Sequence, residues 1–256
     1  MASNADRTRG RRTAEERTAA RRAAEQAARR RDRRRAQLWA GAAVAVLVVI
    51  AVVVTVAVQS RRTDTGDAAA PANTAAGTEG TAFVVGDPDA PVVVDVYEDY
   101  LCPACRAFEA DAEDTLERLA DDGDVQIRYR PVAILDRLSD DEYSTRAANA
   151  AAAVADAGGV AAFTEFSARL FARQPDEGGP GLTDEELIAL ADGSGAAGDD
   201  VAVAIRDLRY GDWVARATDL ASQAGLPGTP WVLVDGTPLE RPTGEALAAA
   251  VDDARS

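Results

Sequence analysis

The sequence predicts an α/β domain carried behind a single membrane-spanning helix. Three observations predict it: an uncharged run at 38–58, strand-like apolar segments at both ends of the region after residue 80, and a nearly continuous helical pattern between them. The chain has 256 residues and a formal net charge of −15, unevenly spread. Residues 1–37 hold 13 Arg against 5 acidic residues, so the 219 residues that follow carry −23.

Leu38 to Val58 (LWAGAAVAVLVVIAVVVTVAV) can cross about 30 Å of hydrocarbon at about 1.5 Å per residue. The alternatives are a buried core helix and a cleaved signal peptide. A signal peptide has a short basic region and an apolar stretch of about 7–15 residues, whereas 37 residues precede this longer one. No cysteine follows the span until Cys102, which argues against a lipoprotein anchor. Arg is dense before the span and reduced to Arg61 and Arg62 after it, which predicts a single-pass protein with 1–37 cytoplasmic and everything beyond residue 58 outside. The Arg/Ala tract reads either as an arm for nucleic acid or anionic lipid, or as a topology signal. The second reading needs no further function, so lipid contact through 38–58 is expected and a nucleic-acid partner is not. Residues 59–80, small, polar and broken by Gly and Pro, are expected to be a flexible linker.

The folded domain is expected from Thr81 almost to the C-terminus. Phe83-Val84-Val85 predicts a short strand, Gly86-Asp87-Pro88-Asp89 a turn, and Pro91 to Tyr97 a buried strand because its β-branched run has little polar interruption. A helix follows, with Phe108, Ala112, Leu116 and Leu119 at three- and four-residue spacing and Gly123 as its stop. Val125 to Tyr129 predicts another strand. From Asp136 to Ala224 helices are expected at 141–157, 160–173, 184–192, 199–209 and 211–224, the third opened by a Thr183/Glu186 capping box. Then come Gly225-Leu226-Pro227-Gly228-Thr229-Pro230, a strand at Trp231 to Val234, a hairpin turn at Asp235-Gly236, and a last helix from Thr243 to Ala254.

The only cysteines are Cys102 and Cys105, in Cys102-Pro103-Ala104-Cys105 between a strand and a helix. A sulfur at a helix N-terminus meets unpaired N–H groups and the positive end of the dipole, which favour a thiolate, and the second sulfur one turn on can close a small disulfide. This is a redox dithiol. A zinc site needs about four ligands, and the chain has no His and no second Cys pair. A purely structural disulfide would close only a tiny loop and remove little unfolded-state entropy. Glu98 and Asp99, just upstream, remain open between a buried proton acceptor and polar residues at a strand end; for Glu98 the second reading is favoured.

GDPDAPVVVDVYEDYLCPACRAFE, a run of helices, then GLPGTPWVLVDG and a C-terminal helix together resemble the DsbA family of thiol–disulfide oxidoreductases, membrane-anchored bacterial type. The resemblance covers about residues 81–254 and rests on three motifs in the right order. It implies a thioredoxin-like fold formed by 81–135 and 225–256, with a helical domain inserted at 136–224. By the same resemblance Cys102 is the exposed nucleophile and Cys105 the resolving cysteine, with Pro103 and Ala104 as the redox-motif dipeptide. Pro230 is a cis-proline facing the dithiol, and Thr229 presents its backbone to an extended substrate. From the residues alone, Thr229 cannot be helical ahead of Pro230, but nothing makes the bond cis.

The implied function is formation of disulfides in exported proteins, without a cofactor, with re-oxidation by a membrane partner. The alternatives are a reductase or isomerase of the same fold and a non-catalytic extracytoplasmic binding or chaperone module. Strongly oxidising members of the family carry His between the cysteines, where this chain has Ala104. The Cys102 pKa is therefore expected to be lowered chiefly by the helix terminus and the couple to be less oxidising, with exposed Arg106 a minor influence. The expected location is the bacterial cell membrane. Abundant Arg and Ala with no Lys suggests a GC-rich genome.

Overall fold

The computed structural model describes residues 70–74 and 77–256, which fall in one compact unit. The predicted span 38–58 and the Arg-rich segment 1–37 lie outside the described residues; among those described, no helix is long and apolar enough to cross a membrane.

Five strands form one sheet in the order β1-β3-β2-β4-β5. They are β1 (Phe83–Gly86), β2 (Val92–Glu98), β3 (Val125–Pro131), β4 (Trp231–Val234) and β5 (Thr237–Pro238). β2 is central, parallel to β3 and antiparallel to β4, while β1 closes one edge antiparallel to β3. β2 is not uniformly buried as its β-branched run suggests. Val92, Val94, Val96 and Glu98 are buried, whereas Val93, Asp95 and Tyr97 are half-exposed on the other face. On that second face Arg130 pairs with Asp95 at 2.6 Å and lies over the Tyr97 ring.

The parallel β2–β3 pair requires a crossover, supplied by α1 (Pro103–Asp121). Pro103 starts it where the missing N–H costs nothing, and Phe108, Ala112, Leu116 and Leu119 are its buried stripe. It stops at Gly123, whose φ of 74° allows Gly123 N–H to donate to Ala120 O and Asp124 N–H to Leu119 O. The β4–β5 hairpin turns on Asp235 and Gly236, both at positive φ. The Asp235 carboxylate also accepts from Val93 N–H at 2.9 Å. The last helix, α6 (Gly244–Ala254), is capped by the Thr243 hydroxyl.

Between β3 and β4 lie α2 (Tyr143–Ala172), α3 (Asp184–Gly193), α4 (Asp199–Arg206) and α5 (Gly211–Gln223). The two helices expected at 141–157 and 160–173 run on as α2, broken in backbone conformation at Gly159 (φ 77°, ψ −172°). Every residue from Ala147 to Ala155 is buried, because small side chains let α2 lie against several helices at once. Within it Asn149 donates to the Ala204 and Ile205 carbonyls and accepts from Tyr210 N–H, closing the end of α4 three residues before the expected 209. The Thr183/Glu186 capping box is present.

The flexible-linker expectation fails at its C-terminal end. Asn73 donates to Ala155 O at 2.6 Å, Ala72 N–H to Asp156 at 2.7 Å, and Trp213 Nε1–H to Gly80 O at 2.6 Å, while Thr74 bridges Phe83. The small side chains that read as linker let this backbone lie close against α2. The rest of 59–80 lies outside the described residues.

Candidate active site

β2 ends at Glu98, and a short loop delivers Cys102 to the N-cap of α1 with φ −75° and ψ 115°. Cys102 N–H donates to Asp99 O at 2.9 Å, and Cys102 O accepts from Cys105 N–H and Arg106 N–H at 3.1 and 3.3 Å. Both cysteines are free thiols. Cys102 keeps 7% exposure and Cys105 none, so only the first sulfur is open to an attacking thiolate.

The two sulfurs are electrostatically unlike. Cys102 is lowered to about 5, first because the Cys105 thiol donates to it, with further help from the Thr229 side chain and the N–H groups of Cys105 and Ala104; burial opposes. Cys105 is pushed far up, first by burial, then by its donation to Cys102 and the negative charge there. Where the helix terminus is expected to act first, the Cys105 thiol instead leads, the Thr229 side chain follows, and the N–H groups of Cys105 and Ala104 at the helix start come after them. Pro103, Ala104 and Arg106 are exposed.

Thr229, about 125 residues away in sequence, meets Cys102, and Pro230 follows it immediately before β4. The Thr229–Pro230 bond is cis. Cys102 Sγ lies 3.2 Å from Thr229 O, which accepts its S–H in the thiol form.

Asp99 is an anchor of the loop. Oδ1 accepts from Leu101 N–H at 2.9 Å and the Ser144 hydroxyl at 2.6 Å, and Oδ2 from Ile134 and Leu135 N–H at 2.9 and 3.0 Å. Burial raises its pKa to about 6 against those hydrogen bonds, so it is mostly ionised at pH 7. With both oxygens committed to four donors, Asp99 is not placed to accept a proton from the pair. This corrects that reading.

Glu98 is the reverse. It is 1% exposed, not a solvated strand end, and Oε2 has no donor in reach, while Oε1 has only the Ser167 hydroxyl at 3.4 Å. Its pKa is raised well above the carboxylate range by burial and then by Glu109, a half-buried residue on α1 whose own pKa burial lifts to about 7. Glu109 pushes Glu98 toward its protonated form, and the two carboxyls act on each other. Where Glu98 is ionised, its charge raises the Cys105 pKa further. Glu109 did not emerge from the sequence, although a signal existed: it sits four residues after Cys105, beside the apolar stripe of α1. A groove of about 550 Å³ between α1, α2 and β1/β3 reaches this site through Glu109. Among the described residues no cluster of three or more His, Cys, Asp or Glu is arranged to hold a metal ion.

The thioredoxin family model matches residues 78–253. Among solved structures, the chain is similar to the reduced disulfide bond oxidoreductase DsbG of Mycobacterium tuberculosis, with 36% identity, TM-score 0.61, and 69% of this chain and 88% of that one covered. It is similar to reduced DsbA from the same organism at 34% identity and TM-score 0.60, covering 69% and 93%. A curated relative, the serine/threonine-protein kinase PknE of M. tuberculosis, is 30% identical over 155 residues, 58% of this chain; the chain spans only 27% of that protein's length. The match over 78–253 and the shared architecture show that the chain belongs to the thioredoxin family and is an oxidoreductase of the DsbA type.

Proposed function

We propose that this protein is a membrane-anchored, extracytoplasmic oxidoreductase that forms disulfides in exported proteins through Cys102-Pro103-Ala104-Cys105. The observation that carries the reading is the asymmetry of the two sulfurs: an accessible, acidic Cys102 hydrogen-bonded by a buried Cys105 that resists ionisation. In the oxidised form a substrate thiolate attacks Cys102 Sγ. The Cys102–Cys105 bond breaks, and Cys105 leaves as a thiolate and takes up a proton, for which the buried Glu98–Glu109 pair, read as two carboxyls sharing one proton, is the source. The substrate's second thiolate then attacks its own sulfur in the mixed disulfide and releases Cys102 as a stable thiolate. The substrate loses two electrons to the pair, and a membrane partner must remove them to restore the disulfide.

A stabilised Cys102 thiolate stabilises the reduced protein and therefore favours disulfide donation. Pro230 and Thr229, beside Sγ, are the surface against which an extended substrate would lie. The uncharged run at 38–58 behind an Arg-dense segment supports a single-pass anchor in a bacterial cell membrane, N-terminus inside. Reductase or isomerase activity is the second reading, favoured only if the thiolate stabilisation is small. Equilibrating the full-length chain against glutathione buffers, with alkylation and mass detection of the pair, decides between them. A reduction potential well above the thioredoxin value of about −270 mV is expected, and one at or below it favours the reductase.

A further inference from the structure

Gln174 immediately follows the last turn of α2, in the helical subdomain, yet its side chain is spent on the loop that carries Cys102. Nε2 donates to Tyr100 O at 3.0 Å and to Cys102 O at 2.9 Å. Two carbonyl acceptors can be met only by the NH₂ end of the amide, which settles its orientation and uses both of its N–H bonds. The same end of α2 holds the Tyr100 side chain. The Phe171 ring lies 5.1 Å from the Tyr100 ring, and the Ser167 hydroxyl bonds the Tyr100 hydroxyl at 3.1 Å. Ser167 and Phe171, four residues apart, share one face of α2, and Gln174 extends from the end of that helix.

The receiving carbonyl is a sensitive one. Cys102 is the N-cap of α1, and no side-chain hydrogen bond of capping geometry closes that cap. Its carbonyl opens the hydrogen-bond ladder of α1 through Cys105 and Arg106. Rotation about ψ of Cys102 would move that carbonyl and swing Sγ relative to Cys105 and Thr229. Resting on the redox reading of the pair, we propose that Gln174 is a positioning residue for Cys102: by holding the Tyr100 and Cys102 carbonyls from the helical subdomain, it sets the orientation in which Sγ receives the Cys105 S–H and lies against Thr229. The helical subdomain thereby takes part in tuning the nucleophile without touching it.

The test is the pH dependence of Cys102 alkylation in the reduced full-length chain, followed by mass, for wild type, Gln174→Met, Gln174→Glu and Arg169→Ala. Met keeps the stem and removes both donors; Glu replaces them with a charged acceptor. Arg169 is a half-buried residue of α2 paired with Glu165, so its loss perturbs the helix without reaching the loop. In Gln174→Met the acid dissociation constant of Cys102 should fall about three- to tenfold, the scale of one hydrogen bond, and the equilibrium constant for oxidising glutathione should fall by a similar factor. Gln174→Glu should fall further, and Arg169→Ala should match wild type. Unchanged midpoints in both Gln174 variants, or an equal shift in Arg169→Ala, overturn the proposal. Slow exchange of the Gln174 side-chain amide protons in wild type, read by NMR, checks the clasp independently of how any variant folds; fast exchange also overturns it. A wild-type pair that alkylates normally but never exchanges with glutathione would sink the redox reading instead.

Discussion

On one side of the loop ahead of Cys102, the Asp99 carboxylate meets four donors drawn from the loop itself, the segment after β3 and the start of α2. On the other side, the adjacent Glu98 meets one hydroxyl and a second carboxyl. Both are buried to the same degree. The difference teaches that burial alone does not decide what an acid does; the donors around it do. Four donors allow a charge to persist in a dry site and turn the residue into an anchor, whereas a facing carboxyl makes one proton both necessary and shareable.

Asp99→Ala should cause the largest loss. It strands three backbone N–H groups and the Ser144 hydroxyl in a dry environment, each of which costs free energy when left without an acceptor. A destabilisation of about 3–5 kcal/mol is expected in urea unfolding at pH 7. A loss under about 1 kcal/mol would mean that water replaces the carboxylate, and the contrast with Glu98 would collapse.

Glu109→Gln should do something different in kind. The folded pKa of Glu109, about 7, lies above the ordinary carboxyl value of 4.5. Wild type therefore has its full stability from this group below about 4.5 and loses it as pH rises toward 7. The variant has no such titration. It should be about as stable as wild type at pH 5 and more stable by about 1–2 kcal/mol at pH 8, discounted because Glu109 is only half-buried. Parallel stability curves for wild type and variant across that range would break the shared-proton account. The same variant should slow release of glutathione from a Cys102 mixed disulfide by Cys105, since the pair that gives Cys105 its proton when it leaves must take that proton back when it attacks.

How much of this was readable in advance follows the range of the interactions. The Cys102–Cys105 pair, the Thr183/Glu186 cap and the Asp235-Gly236 turn are set by neighbours within a few residues, and their spacing announces them. The roles of Glu98 and Glu109 depend on β2 lying under α1, and that of Gln174 on the end of α2 reaching a loop about 70 residues earlier. No spacing encodes those distances. The Thr229–Pro230 geometry came from resemblance and not from the residues. The alanine run of α2 announced a helix but no face, because every face of it is buried. Residues 70–74 and 77–80 were misread as linker for a related reason, since small polar side chains mark both a free chain and one that lies flat on a helix.

The finest probe of the comparison is Ser167→Ala. Ser167 stands between the two systems, with its hydroxyl 3.4 Å from Glu98 Oε1 and 3.1 Å from the Tyr100 hydroxyl. Its bond favours the ionised form of Glu98, so removing it should raise that pKa further and hold the shared proton more tightly. The cost in stability should be small, about 0.5–1 kcal/mol, because the hydrogen bond to Glu98 is long and the Tyr100 hydroxyl is a neutral partner. The informative readout is the pH at which Cys105 releases glutathione from the mixed disulfide, which should move upward in Ser167→Ala and stay in place in Ser144→Ala, whose hydroxyl serves Asp99. A shift of equal size in both would mean that the two carboxylates titrate as one system, and the division between anchor and proton reservoir would have to be abandoned.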